Sequence, residues 1–154
     1  MNRLLEMVAT LGPVGRAPLA PATMASALTA LVAWFLPVPP LPIAIAALAV
    51  GAVVAAWICG RAEERLGHDA HPIVLDEVIG QSIALIAAPH WWPAYLAAVA
   101  LFRLFDIWKP FGAREAQVLP GGIGVVVDDV IAGLTSCAFL QLGLWGARRA
   151  GLFI

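Results

Sequence analysis

The sequence has little charge, and that scarcity limits what the chain can be. Only 12% of its 154 residues are charged and 62% are hydrophobic, whereas ordinary globular domains carry about 25% charged residues. The composition predicts a membrane protein, and the length predicts a single domain over residues 1–154. A net charge of −1 and the lack of any basic patch argue against a nucleic-acid partner.

Cysteine is scarce as well. The two cysteines, Cys59 and Cys137, lie in apolar stretches without a spacing motif, so we interpret them as small hydrophobic residues and expect neither a disulfide nor a zinc site. The first ten residues lack the apolar segment of a signal peptide, and we expect no cleavable leader.

Three intervals without Asp, Glu, Lys or Arg, at 17–60, 78–101 and 130–147, define the apolar helices. Prolines at 37, 39, 40 and 42 cannot all lie inside one helix, so the first interval divides in two. We predict an all-α, polytopic membrane bundle of about four to five apolar helices, near 24–36, 43–59, 73–88, 92–108 and 124–147. Several of these are shorter than the ~20 residues that a full crossing needs.

Charge predicts the orientation of this bundle. With the N-terminus in the cytoplasm, the connections at 37–42 and 89–91 face outward and carry no Lys or Arg, as the positive-inside rule expects. Arg148 and Arg149 fall on the outer side and disagree with that rule. In this topology the polar motifs gather at the cytoplasmic edge.

Five acids border the apolar helices. Asp76 and Glu77 begin the third predicted helix, Asp106 lies near the end of the fourth, and Asp128 and Asp129 lie near the start of the fifth. Burying a carboxylate is costly unless it is paired or binds metal, and oxygen-only sites suit hard cations such as Mg²⁺. All five are therefore candidate metal ligands and catalytic residues.

Other interpretations of these charges remain open. Acids near a helix N-terminus are stabilised by about 0.3–1 kcal/mol through the helix dipole, which accounts for Asp76 and Asp128 but fails for Asp106. Arg103 and Asp106 are i, i+3 neighbours and could form a simple ion pair. With Lys109, Arg103 is also a candidate phosphate ligand, because Arg binds phosphate in bidentate fashion and Lys acts as a point charge.

Weaker candidates lie in the loops. Gly121 and Gly122 precede the last predicted helix, where backbone N–H groups can approach an anion, although any tight turn uses glycine. His68 and His71 precede the third predicted helix. We interpret them as ordinary loop histidines, with direct involvement as the alternative, and retain His71 as a candidate substrate contact.

Three motifs, in this order, resemble the bacterial phosphatidylglycerophosphatase A family. They are the segments 73–80 (IVLDEVIG), 102–110 (FRLFDIWKP) and 121–133 (GGIGVVVDDVIAG). The stretch 18–26 also resembles the family's Pro-x-Ala-Pro-Gly-Thr-x-Gly-Ser pattern: Thr23 and Ser26 are retained, whereas Ala22 and Ala25 replace glycines. Those replacements bear on any close backbone approach to substrate at this stretch.

The resemblance implies an all-helical, Mg²⁺-dependent lipid phosphatase of the bacterial inner membrane, with its active site facing the cytoplasm. It would hydrolyse phosphatidylglycerophosphate to phosphatidylglycerol and inorganic phosphate, and a homo-oligomer is left open. The expected catalytic and metal-binding residues are Asp76, Glu77, Asp106, Asp128 and Asp129. The expected substrate-binding residues are Thr23, Ser26, His71, Arg103, Lys109, Gly121 and Gly122.

Other classes of protein fit less well. A small cation transporter or channel would place its acids near the bilayer midplane, and a non-catalytic scaffold would have no use for costly acids. The Asp-Gly-x-x-Ala-Arg signature of CDP-alcohol phosphotransferases and the Ser-Gly-His of histidine-dependent phosphatases are missing from the sequence.

Overall fold

A computed structural model of the protein describes residues 3–67, 70–109, 113–116 and 119–152, and over these residues the regular structure is entirely helical. The all-α prediction is therefore confirmed for the described part of the chain. In order, the helices are α1 (Arg3–Ala9), α2 (Pro21–Phe35), α3 (Leu41–Leu66), α4 (Leu75–Ala84), α5 (Trp92–Trp108), α6 (Ala113–Ala116) and α7 (Gly122–Arg149), with a 3-10 turn at Val14–Arg16.

Prolines determine where three of the long helices begin. Pro21 is the first residue of α2, and Pro42 and Pro93 are the second residues of α3 and α5. Proline in the first helical turn loses no hydrogen bond, since the N–H group it lacks has no intrahelical partner. The predicted division of the first apolar interval is confirmed, and α5 has the predicted bounds.

Two helices, α3 and α4, differ most from their predicted lengths. Helix α3 continues past residue 59 to Leu66, and its polar last turns carry an exposed ion pair between Arg61 and Glu64 (2.9 Å). Helix α4 has 10 residues and ends at Ala84, short of the predicted 88. The chain leaves it through a turn in which Ala87 has a positive φ of 54°.

Among the described residues, α3 and α7 are long and apolar enough to cross a membrane, fewer than the four to five apolar helices expected. Helix α2 is apolar but has only 15 residues. The two long helices differ in burial. In the most apolar stretch of α3, 6% of the residues are buried, whereas in that of α7 50% are buried. Most residues in the apolar stretch of α3 are therefore exposed or only partly buried.

Helix α4 forms the centre of the bundle. It packs most extensively against α7, with α2, α3 and α5 around it. A Cβ on Gly133 of α7 would overlap the backbone of Gly80 on α4, and a Cβ on Gly80 would lie 2.7 Å from the carbonyl oxygen of Asp129. This close approach holds the second turn of α4 against the stretch of α7 from Asp129 to Gly133.

Candidate active site

The five predicted acids meet where α4, α5 and α7 converge. Three carboxylate oxygens, one each from Asp76, Glu77 and Asp129, lie within 4.8 Å of one another. A second group, Asp106, Asp128 and Asp129, satisfies the same distance. Asp129 belongs to both groups, so the five acids form one continuous cluster of oxygen ligands.

The helix-dipole interpretation weakens for the acids of α7. Asp128 and Asp129 lie nearly two turns after Gly122, where α7 begins, and the first turn of α7 holds no acid. The dipole effect is confined to the first turn, so it does not explain these two carboxylates. It still applies to Asp76 and Glu77, which lie in the first turn of α4.

The acids are buried with oxygens that lack partners. Asp76, Glu77 and Asp129 are 6%, 8% and 3% exposed, and Oδ1 of Asp76, Oε2 of Glu77 and Oδ2 of Asp129 accept no hydrogen bond in the described part of the protein. Burial raises the pKa of Asp76 well above its ordinary value, and the neighbouring Glu77 carboxylate adds to the rise. Burial raises the pKa of Glu77 as well.

This donor set fits a hard divalent cation. Unpartnered buried carboxylates cost free energy unless a cation compensates them, and clustered carboxylate oxygens are the ligands that Mg²⁺ and Ca²⁺ prefer. A bound cation would also favour the ionised carboxylates and so oppose the rise in pKa that burial causes. The acid cluster can therefore hold a metal ion.

Two cations lie among these acids. Arg103, on α5, donates from Nη1 to Oδ2 of Asp106 at 2.6 Å, and both side chains are largely buried. Lys109, which ends α5 in a left-handed conformation with φ of 51°, donates from Nζ to Oδ2 of Asp128. The ion pair left open for Arg103 in the sequence is present, and its Nε is buried without a hydrogen-bond partner among the described residues.

The charged residues line one cavity of about 300 Å³. All five acids, Arg103, Lys109 and His71 contribute to it, and its remaining described lining is apolar. Carboxylates outnumber the cations on its walls, so a bound divalent cation would have to offset their charge before a phosphate could enter. The apolar part of the lining comes from Ala22, Ala70, Ile73 and Ile107.

Four predicted substrate contacts lie outside the described lining of this cavity. Thr23 is exposed on the first turn of α2. Ser26 is fully buried, and its hydroxyl donates to the carbonyl oxygen of Ala22 at 2.9 Å. Gly121 turns the chain with a positive φ of 61°, and Gly122 packs so closely on α3 that a Cβ would overlap the backbone of Gly60. Their contact with substrate stays a prediction.

The loop before α4 is only partly described. His71 is exposed and lines the cavity, as expected of a candidate substrate contact. His68 and Asp69, and Pro110 of the second motif, lie outside the described residues.

Sequence reasoning missed Gln81. Its side chain is fully buried on α4, and neither its Nε2 nor its Oε1 has a hydrogen-bond partner among the described residues. Gln81 lies one helical turn after Glu77, on the same face of α4. That spacing could have singled it out, but a lone glutamine in an apolar helix is ordinary without knowledge of its burial.

Comparison with known proteins agrees with the geometry. The model of the family Phosphatidylglycerophosphatase A matches residues 7–144. A Bacteroides thetaiotaomicron protein named "Putative phosphatidylinositol-3-phosphatase" is 39% identical over 140 residues, which cover 85% of this chain and 87% of the relative. Phosphatidylglycerophosphatase A of Escherichia coli is 36% identical over 131 residues, covering 82% of this chain and 75% of the relative.

The Haemophilus influenzae phosphatidylglycerophosphatase A is 43% identical over 81 residues, which cover 51% of this chain and 50% of that protein. No solved structure matches the chain significantly. The match to the family model spans the helices that carry all three motifs, and the acids of those motifs share one cavity. On these grounds the chain belongs to the phosphatidylglycerophosphatase A family.

Proposed function

We propose that this protein is a membrane-embedded, Mg²⁺-dependent phosphatase that hydrolyses phosphatidylglycerophosphate to phosphatidylglycerol and inorganic phosphate. Membership of the family supports the reaction and the substrate. The single observation that carries the chemistry is the cavity in which five carboxylates meet Arg103 and Lys109. Such a cavity pairs a metal-binding surface with two groups that bind phosphate.

The chain's own residues suggest how the reaction proceeds. When bound by the acid cluster, Mg²⁺ would polarise the phosphate and increase the acidity of water in the cavity. Arg103 and Lys109 bind the phosphoryl oxygens and neutralise the charge that develops on them. Oε2 of Glu77, buried and without a hydrogen-bond partner among the described residues, accepts the proton of the attacking water as the bond from phosphorus to the glycerol oxygen breaks. Glu77 then returns that proton to the glycerol oxygen, which leaves as the hydroxyl of phosphatidylglycerol.

The apolar surface supports a membrane location. Val50, Val53 and Ile43 on α3 are 65%, 72% and 60% exposed, and such a continuous apolar surface exceeds what soluble monomers expose. We place this surface in lipid. Helices α3 and α7 then cross the bilayer, with the shorter helices packed beside them.

Charge supports a cytoplasmic active site in a bacterial inner membrane. At the end of α3 that adjoins the cavity, Arg16 and Arg65 both pair with Glu6, at 2.8 and 3.1 Å. The segment joining α2 to α3, at the opposite end of α3, carries no Lys or Arg. This distribution supports a cavity on the cytoplasmic side by the positive-inside rule, with Arg148 and Arg149 at the far end of α7 as the exceptions.

A cation transporter or channel has no specific support. Its acids would lie near the bilayer midplane, whereas here they lie in the first turn of α4, the last turn of α5 and the second turn of α7.

The test is phosphate release by the protein purified in detergent. We expect turnover of phosphatidylglycerophosphate with Mg²⁺ and none in excess chelator. Phosphatidylinositol 3-phosphate belongs in the same assay, because the Bacteroides relative is named for that activity. Preference for the inositol lipid would overturn the proposed substrate, and full turnover in chelator would overturn the proposed metal.

A further inference from the structure

A second cavity lies between α2 and α5, and its lining is almost entirely apolar. Its volume is about 520 Å³. Both helices contribute aromatic and aliphatic side chains, and the described lining contains no ionisable group other than Tyr95. Its main walls are formed by Leu31, Trp34 and Phe35 on α2 and by Trp92, Leu96 and Val99 on α5.

The same two helices also line the acid cavity. Helix α2 reaches it through Ala22, near its start, and α5 reaches it through Arg103 and Ile107, near its end. Val99, at the near end of the apolar groove, lies four residues before Arg103, which corresponds to about 6 Å along the helix. The groove therefore starts one turn from the proposed phosphate site and leads away from it.

The length of the groove suits a lipid chain. From Arg103 to Trp92 the helix rises about 16 Å at roughly 1.5 Å per residue, and one leaflet of hydrocarbon is about 15 Å deep, half of the ~30 Å core. We propose that this groove binds one acyl chain of the lipid substrate while its phosphate occupies the acid cavity. The inference rests on the proposed function and adds where the substrate's hydrophobic part lies.

Another apolar cavity of about 520 Å³ is less suitable. It is lined by the loop residues Pro37, Val38 and Pro39 and by the start of α3 and the end of α4. These segments lie at the end of the bundle away from the acids, so a chain bound there would leave the phosphate out of reach of Arg103.

Filling the groove tests the proposal. Ala27 lines it and is exposed, so Ala27→Trp adds bulk to the groove with little risk to folding. We expect kcat/KM for phosphatidylglycerophosphate with two 16-carbon chains to fall by about tenfold or more, since each buried CH₂ contributes to binding. For phosphatidylglycerophosphate with two 6-carbon chains, kcat/KM should stay within about twofold of the parent value, because such short chains barely enter the groove. Leu28→Trp, on the same helix but outside the lining, is the matched control and should change neither rate.

Two outcomes would overturn the groove: unchanged long-chain kcat/KM in Ala27→Trp, or equal losses on both substrates. If the unmodified protein hydrolyses neither substrate, the proposed function fails, and binding decides the groove separately. For that, phosphatidylglycerophosphate with brominated chains, diluted in unbrominated lipid, should quench Trp34 and Trp92 more than brominated phosphatidylcholine does. Trp34→Phe and Trp92→Phe variants identify their share of the signal, and equal quenching by both lipids would refute the proposal.

Discussion

Asp129 is the one acid that belongs to both sets of three clustered carboxylates described above. Asp129→Asn keeps the shape of the side chain and removes its charge. We expect turnover to fall at least about a hundredfold, beyond the 10–100-fold typical of residues that merely support a metal ligand. The increase in melting temperature on adding Mg²⁺ should disappear with it. In chelator the variant should melt no lower than the parent protein, because an unpaired buried charge has been removed.

The control for that variant is Glu64→Gln. Glu64 is exposed and pairs with Arg61 away from the cavity, so both turnover and Mg²⁺-induced stabilisation should be retained. If Asp129→Asn kept the parental turnover and the Mg²⁺ response, the shared position of Asp129 would have no catalytic meaning.

Arg103 tests whether shape or charge matters at the phosphate site. Its guanidinium can bond Asp106 and a phosphate at once, whereas the ammonium of Arg103→Lys is a point charge without the planar fork. We expect kcat/KM to fall about 10- to 100-fold, since one hydrogen bond to a charged group contributes roughly 1.5–3 kcal/mol. Initial-rate kinetics measure this, with Arg61→Lys as the exposed control. Unchanged kcat/KM in Arg103→Lys would remove bidentate binding from the mechanism.

Gln81 and Gln141 form a matched pair for stability. The amide of Gln81 is buried without a hydrogen-bond partner among the described residues, whereas Nε2 of Gln141 donates to the carbonyl oxygens of Ile86 and Ala87 at 3.2 and 3.1 Å. A buried unsatisfied polar group costs about 1–3 kcal/mol. Thermal unfolding in detergent should therefore show Gln81→Leu to be more stable than the parent and Gln141→Leu to be less stable. A lower melting temperature for Gln81→Leu would mean that its amide has a partner after all.

At the level of single residues, the sequence was sufficient for the charged members of the site. Burial makes isolated acids expensive, and that cost allowed Asp106 and Asp129 to be identified before any coordinates. The surroundings of Ser26 and Gly122 could not be identified in this way. Burying a hydroxyl or a glycine costs little free energy in many environments. The role of such a residue therefore depends on the residues that it contacts in the folded protein.

Among the helices, the contact of α4 with α7 positions the acids that we propose to be catalytic. Gly80→Ala would place a Cβ 2.5 Å from Cε2 of Phe102 and 2.7 Å from the carbonyl oxygen of Asp129. We expect it to lower the melting temperature and, by displacing Asp129, to reduce turnover. The control is Gly143→Ala, in the same helix as Asp129, where an added Cβ meets no atom within 4 Å among the described residues. This variant should be more stable than the parent protein by roughly 0.5–1 kcal/mol, because alanine has the higher helix propensity. Equal melting temperatures for the two variants would contradict the close packing.

Helix boundaries were predictable where proline specifies them and less so elsewhere. The bounds of α5 follow from Pro93 near its start and from Pro110 just beyond its end in the sequence. The length of α4 does not, because its apolar sequence continues beyond Ala84 while the chain turns at Ala87. At this turn Gln141 of α7 donates to the carbonyl oxygens of Ile86 and Ala87, a tertiary contact that hydropathy does not predict.

For the whole molecule, the proposed topology can be tested by labelling from outside the cell. In a background with Cys59→Ala and Cys137→Ala, Pro39→Cys lies in the loop before α3, and Arg61→Cys lies near the other end of that helix. We expect a membrane-impermeant maleimide to label Pro39→Cys in intact spheroplasts and Arg61→Cys only after lysis. The reverse pattern would put the cavity on the outer face and contradict the positive-inside argument.

The central position of α4 has a consequence for how the enzyme is made. At 10 residues, α4 is too short for the translocon to insert as a span by itself, and its buried face is completed by α7 near the end of the described chain. The first acids of the cluster to leave the ribosome, Asp76 and Glu77, must wait for Asp128 and Asp129 before the proposed cation site is complete. A nascent chain should therefore be inert towards lipid until its last helix is in place.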